Sequence, residues 1–185
     1  MKKLLLLSAT LISFSSFAQT AEEKAWMDFM TPGEQHATLA KENGKWNEEI
    51  TFYMAPDAPP TTYKSVCVNE MILGGRYQKS THTGEMMGMP FEGTGIIGYD
   101  KGRKMWFSTW IDNMGTGMMY SEGNYDKAKN ILEFKGTSTD PSTGKAMSFR
   151  QTFKAIDNDH QEMEMFMMNN GKEFKSMVIK FTRAK

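Results

Sequence analysis

The chain has 185 residues, with 22 Lys and Arg against 22 Asp and Glu, and is 39% hydrophobic, 12% aromatic and 24% charged. That is one domain's length, and the neutral balance excludes a dedicated nucleic-acid binder, which needs a basic excess to displace counterions from phosphates. The single Cys, Cys67, excludes an internal disulfide and a Cys-rich zinc site, so stability must come from a packed core.

Residues 1–18 read as a signal peptide. Met1-Lys2-Lys3 is a positive start, Leu4 to Phe14 an apolar stretch and Ser16-Phe17-Ala18 a small-x-small cleavage site. The apolar stretch falls short of the roughly 20 residues that span a bilayer, so no transmembrane segment is expected after cleavage near Ala18. The expected product is a periplasmic or secreted chain, and no Cys follows the cleavage site to carry a lipid.

Residues 19–30 read as a linker or disordered arm, followed by one domain over 31–185. Thr31-Pro32-Gly33-Glu34 carries the marks of a helix start, with Thr31 as cap, Pro32 in the first position and Glu34 closing a capping box. Asn43-Gly44 is the matching stop, which predicts a short helix from Pro32 to Asn43. Its thin apolar face, Ala37, Leu39 and Ala40, suits an element leaning on something larger.

From Trp46 onward, short runs of β-branched and aromatic residues alternate with Gly, Asn, Asp and Pro clusters at hairpin spacing. Ten strands are predicted: Asn47–Met54, Tyr63–Leu73, Arg76–Gly84, Phe91–Tyr99, Lys104–Ile111, Gly117–Tyr125, Ile131–Thr137, Ala146–Ile156, Gln161–Met168 and Glu173–Thr182. Short turns between consecutive strands imply an up-and-down antiparallel sheet. Ten strands laid flat would leave two long edges, and closure into a single all-β barrel removes them. Trp106, Ser108 and Trp110 fall on one face of their strand and Met105, Phe107 and Thr109 on the other.

Gly44-Lys45-Trp46, entering the first strand after a short helix, resembles the Gly-x-Trp opening of the calycin barrels, the lipocalins and fatty-acid-binding proteins. That resemblance implies that Arg183, on the last strand, packs across Trp46 to close the barrel. The runs Gly74-Gly75-Arg76-Tyr77, Met89-Pro90-Phe91-Glu92-Gly93, Gly98-Tyr99-Asp100 and Trp110-Ile111-Asp112 are similar in order and spacing to the bacterial exported family catalogued as domain of unknown function 1579. The similarity extends from Gly44 to Arg183 and implies a fold without an activity.

Methionine is the chemical anomaly: 18 residues against three leucines beyond the signal peptide, Leu39, Leu73 and Leu132. Met163, Met165 and Met167 alternate and so share one face of a strand. Thioethers can fill an irregular core, line an adaptable cavity for a small apolar or amphipathic ligand, or bind copper(I) together with histidine. The cavity reading names Arg76, Tyr77, Trp106, Trp110, Met163, Met165 and Met167 as ligand-binding, with an inward Arg pairing a carboxylate or phosphate head group. The copper alternative gathers Met86, Met89 and His82, and a third reading is a structural or interaction barrel filled by its own side chains. Arg150 falls outside if Met147, Phe149, Gln151 and Phe153 face in.

No catalytic residue and no resident cofactor is expected. The chain has no G-x-S-x-G elbow, P-loop or H-E-x-x-H. Gly93-x-Gly95-x-x-Gly98 matches a dinucleotide fingerprint in letters but lies inside a strand, where glycines relieve crowding. His82, beside Ser80 and Gly84, reads as a solvated surface residue, which argues against haem ligation, and Cys67 between Val66 and Val68 reads as a small buried hydrophobe.

Overall fold

The computed structural model describes residues 20–56, 58–169 and 171–185; the proposed signal peptide lies outside these. The elements run α1 (Ala21–Met30), α2 (Glu34–Ala40), β1 (Gly44–Phe52), β2 (Thr61–Ile72), β3 (Tyr77–Met86), β4 (Met89–Asp100), β5 (Met105–Asp112), β6 (Met119–Asp126), β7 (Ile131–Thr139), β8 (Ala146–Ala155), β9 (His160–Asn169) and β10 (Lys172–Arg183). The ten strands form a closed antiparallel barrel in which each pairs with its sequence neighbours and β1 pairs with β10. The described residues fall into two units, 20–30 and 31–185. Among the described residues no helix is long and apolar enough to cross a membrane.

Residues 21–30 form a helix where the sequence suggested an arm. The reason is a capping box at its start: the Thr20 hydroxyl accepts from the Glu23 amide and the Glu23 carboxylate accepts from the Thr20 amide. In the barrel unit, α2 is shorter than expected and starts two residues later. Gly33 is its cap, and His36 takes the part expected of Glu34, its ring Nδ1 accepting from the Gly33 amide at 3.0 Å. Burial of the His36 ring, edge-on to Tyr99, makes the difference.

The C-terminal end of α2 leaves carbonyls without intrahelical partners, and barrel side chains supply them. Gln78 donates to Leu39, Trp46 and Asn69 both donate to Glu42, and the Arg183 guanidinium donates to Lys41 and Asn43. A cation at this end also opposes the helix dipole. The helix is thereby fixed across the barrel end where β1 begins. The Arg183 guanidinium carbon stands 4.1 Å from the Trp46 ring centroid, and Trp46 is completely buried.

Strand alternation determines what faces in. On β1, Trp46, Glu48 and Ile50 are buried while Lys45, Asn47 and Glu49, alternating with them, are exposed. Two apolar clusters result, one around Trp46, Ile50, Cys67, Phe91, Met163 and Ile179 and a smaller one of Leu39, Trp106 and Phe134 under α2. Glycine is required where walls crowd: a Cβ on Gly123 would lie 1.8 Å from the Glu133 carbonyl oxygen.

Candidate functional site

The barrel interior holds two cavities separated by a waist. One, of about 610 Å³, lies beneath α2 and is lined by Leu39, Gln78, Trp106 and Lys104 among others. The other, of about 470 Å³, occupies the opposite half and reaches the surface past Met54 and Met87. Ser80, His82, Ile97, Phe153 and Phe181 border both and form the waist.

Methionine is polarised along this axis. Nine methionines line the second cavity. Of the fifteen beyond Thr31, only Met71 and Met105 sit where strands meet the α2 end. Met163 at the cavity floor is 5% exposed, whereas Met54 at the mouth is 76% exposed, with Met87, Met89, Met114, Met118 and Met168 also exposed around that end. Unbranched thioethers give a wall that repacks at low cost, because they have three rotatable bonds and no branch to clash. No Lys or Arg is among the residues lining this cavity. Its one carboxylate, Asp112, accepts from the Trp110 indole at 2.7 Å and from the Met114 amide at 2.9 Å. The polar groups facing in are neutral hydrogen-bonding side chains such as Gln151, Ser121 and Ser80.

At the waist lies a buried polar chain that sequence reasoning missed. His82 Nδ1 is 2.9 Å from Glu48 Oε1, and His82 Nε2 is 3.6 Å from Cys67 Sγ. All three residues are buried. Ser65 donates to the other Glu48 oxygen, the Cys67 thiol donates to Asn69 Oδ1 at 3.1 Å, and the Trp110 ring meets the imidazole edge-on at 4.9 Å. The register explains the convergence: Cys67 pairs directly with His82, Trp46 with Cys67 and Glu48 with Ser65. Burial and the Glu48 charge push the Cys67 thiol far above its ordinary range, so the free protein holds it as a thiol.

With this geometry in place, comparison with known proteins gives the family. The model of the family described as protein of unknown function DUF1579 matches residues 31–183. The chain belongs to this family. The crystal structure of Rv2717c from M. tuberculosis is similar at 16% identity, with a TM-score of 0.62, covering 84% of this chain and 100% of that one. A redesigned β-barrel is similar at 11% identity with a TM-score of 0.40, over 81% of this chain and 96% of the other. No curated protein matches the chain. At 16% identity the Rv2717c structure shows a shared barrel fold alone.

In this DUF1579 barrel the residues singled out from sequence fall into three groups. Trp110, Met163, Met165 and Met167 meet in the second cavity, while Trp106 is buried under α2 and lines the first. Arg76 and Tyr77 line neither. Arg76 lies in the β2–β3 turn, donating to the Leu73 carbonyl, and Tyr77 points outward against Phe107 because Gln78 has the inward parity. Arg150 also faces out, over Phe166 and paired with Glu173. Among the described residues no arginine lines either cavity.

Met86, Met89 and His82 do not converge. Met86 and Met89 are register partners where β3 meets β4, but His82 and Met86 are four residues apart on one strand, about 13 Å at strand rise. His82 corrects the surface reading: it is buried, because its ring turns into the barrel between Glu48 and Cys67 and against Trp110, although Gly84 two residues on is exposed. The glycines of the nucleotide-like run serve packing within β4, since a Cβ on Gly93 would lie 2.5 Å from the Trp110 ring.

Proposed function

We propose that this barrel binds a small, uncharged, apolar molecule in its methionine-lined cavity, entering at the end away from α2. The observation that carries the reading is a cavity of about 470 Å³ whose lining includes nine methionines and neither Lys nor Arg. Its size is within the roughly 300–1,000 Å³ of small-molecule sites, and apolar walls with few polar groups are what such sites use. An anionic head group would be desolvated there without a partner and is disfavoured. Gln151, Ser121 and Ser80 can hydrogen-bond a carbonyl or hydroxyl on an otherwise apolar ligand. If residues 1–18 direct export, the ligand is one met in the periplasm or outside the cell.

Titration with Nile red, which is neutral, and with anilinonaphthalene sulfonate, which is anionic, tests the reading. Nile red should bind at one site and the sulfonate at least tenfold more weakly. Met165→Trp, which fills the cavity from β9, should abolish Nile red binding while leaving the circular dichroism spectrum unchanged. Equal binding of both dyes, or Nile red binding untouched by Met165→Trp, would refute the proposal.

A further inference from the structure

We infer that Cys67 Sγ and His82 Nε2 form a binding site for a thiophilic d¹⁰ cation, Zn²⁺ or Cu⁺, with Glu48 orienting the imidazole and the α2-side cavity supplying the remaining ligands. The inference does not depend on what occupies the methionine-lined cavity.

An ionised Glu48 carboxylate can only accept, so the 2.9 Å contact pairs it with a proton on His82 Nδ1, and a neutral ring held that way turns its Nε2 lone pair on Cys67. A carboxylate behind a histidine in this way is the arrangement that fixes the ring and raises the basicity of a metal ligand. Ser65 holds the other carboxylate oxygen, so the orienting group is itself fixed.

In front of the ring, the single thiol proton faces two acceptors, His82 Nε2 and Asn69 Oδ1 at 3.1 Å from the sulfur. Electron-rich atoms thus outnumber the protons available between them, and a cation would meet that excess. Ligand distances fit as well: with metal–sulfur at about 2.3 Å and metal–nitrogen at about 2.0–2.1 Å, two donors 3.6 Å apart subtend roughly 110° at the ion, the tetrahedral value. One donor atom from each of Glu48, Cys67 and His82 lies within 4.8 Å of the others, so the two donors and the group behind the ring are already assembled.

Cys67 and His82 both line the α2-side cavity of about 610 Å³, which gives an ion room for solvent ligands. A sulfur–imidazole pair selects soft and borderline ions over Ca²⁺ or Mg²⁺, which require oxygen. Binding breaks the Cys67 S–H bond, forms the sulfur–metal bond and releases one proton to solvent per ion, with no change in oxidation state.

The experiment uses the full chain, stripped with chelator and kept reduced. Co²⁺ is added first as a spectroscopic probe. Cys67 is the sole cysteine, so a thiolate-to-cobalt charge-transfer band can come only from it. The expected result is that band at one equivalent, release of one proton, and displacement of Co²⁺ by stoichiometric Zn²⁺ or Cu⁺, the tighter competitor identifying the ion. Glu48→Gln should weaken binding roughly 10–100-fold, as loss of an outer partner does, and Cys67→Ser should abolish the band. Met163→Leu with Met165→Leu should leave it intact. Absence of a thiolate band in the unaltered chain overturns the inference without reference to any variant. Copper binding that survives Cys67→Ser and disappears in the methionine double variant overturns it too, by moving the site to the other cavity. Nile red titration of the same samples reports the second cavity separately, so failure of either reading is distinguishable from failure of the other.

Discussion

Replacing Arg183 with Ala tests how much one side chain contributes to closing the barrel. Arg183 donates to three carbonyls, Asn43 at 2.8 Å, Lys41 at 3.1 Å and Asn158 at 2.9 Å, and covers the Trp46 ring at 4.1 Å. Hydrogen bonds to charged groups contribute about 1.5–3 kcal/mol each when buried. The Arg183 side chain is 28% exposed, so about 1 kcal/mol apiece is the appropriate scale here. The stack over Trp46 adds about 0.5–1 kcal/mol. The nearby Glu42 and Asp159 carboxylates, at 3.8 and 3.6 Å, contribute little at a solvated position.

The sum is about 3–4 kcal/mol, which at a urea slope of about 2 kcal/mol/M lowers the unfolding midpoint by about 1.5–2 M. Tryptophan fluorescence follows the transition, because Trp46 passes from full burial to water. Arg183→Lys keeps the charge but loses the planar fork that reaches several carbonyls at once, so it should recover less than half of the loss. A midpoint for Arg183→Ala within about 0.5 M of the unaltered chain would refute this account of closure and of how α2 is held.

Other perturbations give equally definite expectations. Gly123→Ala drives a methyl into the Glu133 carbonyl and should cost more than about 3 kcal/mol or prevent soluble expression, while Gly115→Ala, with open space around it, should be neutral in the same denaturation assay. His36 is held below its ordinary pKa by burial and by the Lys101 charge, and its neutral ring is the one that caps Gly33. A depressed histidine favours the native state above its unfolded pKa, so stability should fall as pH drops from 7.5 to 5.5, and the urea midpoint of His36→Gln should vary less over that range. Arg150→Ala should leave Nile red affinity unchanged within twofold, because that guanidinium faces outward between Glu133 and Glu173.

The barrel was legible because its code is local. Strands from Tyr63 onward alternate in polarity and end at turn residues, and each pairs with the next in sequence, so reading hairpins one by one gives the whole sheet. Helices were harder to read. Thr20 and Glu23 form a capping box, but the run opens Ala-Glu-Glu-Lys-Ala and its apolar residues, Trp26, Met27, Phe29 and Met30, all fall in its second half, so no stripe runs its length. Thr31 and Glu34 carry the same pattern, and the buried ring of His36 displaces it.

At the site, period-two alternation placed Met163, Met165 and Met167 together, and it excluded Arg150. The waist remained hidden because its members come from three strands, and only register brings Glu48, Cys67 and His82 together. One signal was present: Glu48 has the parity of Trp46 and Ile50, which places a carboxylate on a face otherwise read as core. Tyr77 was misassigned for the complementary reason, since a strand's first residue gives no alternation from which to fix its side.

The gradient of methionine from floor to mouth also sets an order of chemical ageing. Sulfoxide formation follows access, so an oxidant would convert the thioethers of Met54, Met87 and Met118 well before that of Met163. Each conversion replaces an apolar, pliant side chain with a polar one. The rim would become hydrophilic while the interior stayed intact, and the barrel would remain folded with an entrance no longer matched to its lining. Because methionine sulfoxide is enzymatically reducible, that change of surface can be reversed without resynthesis of the chain.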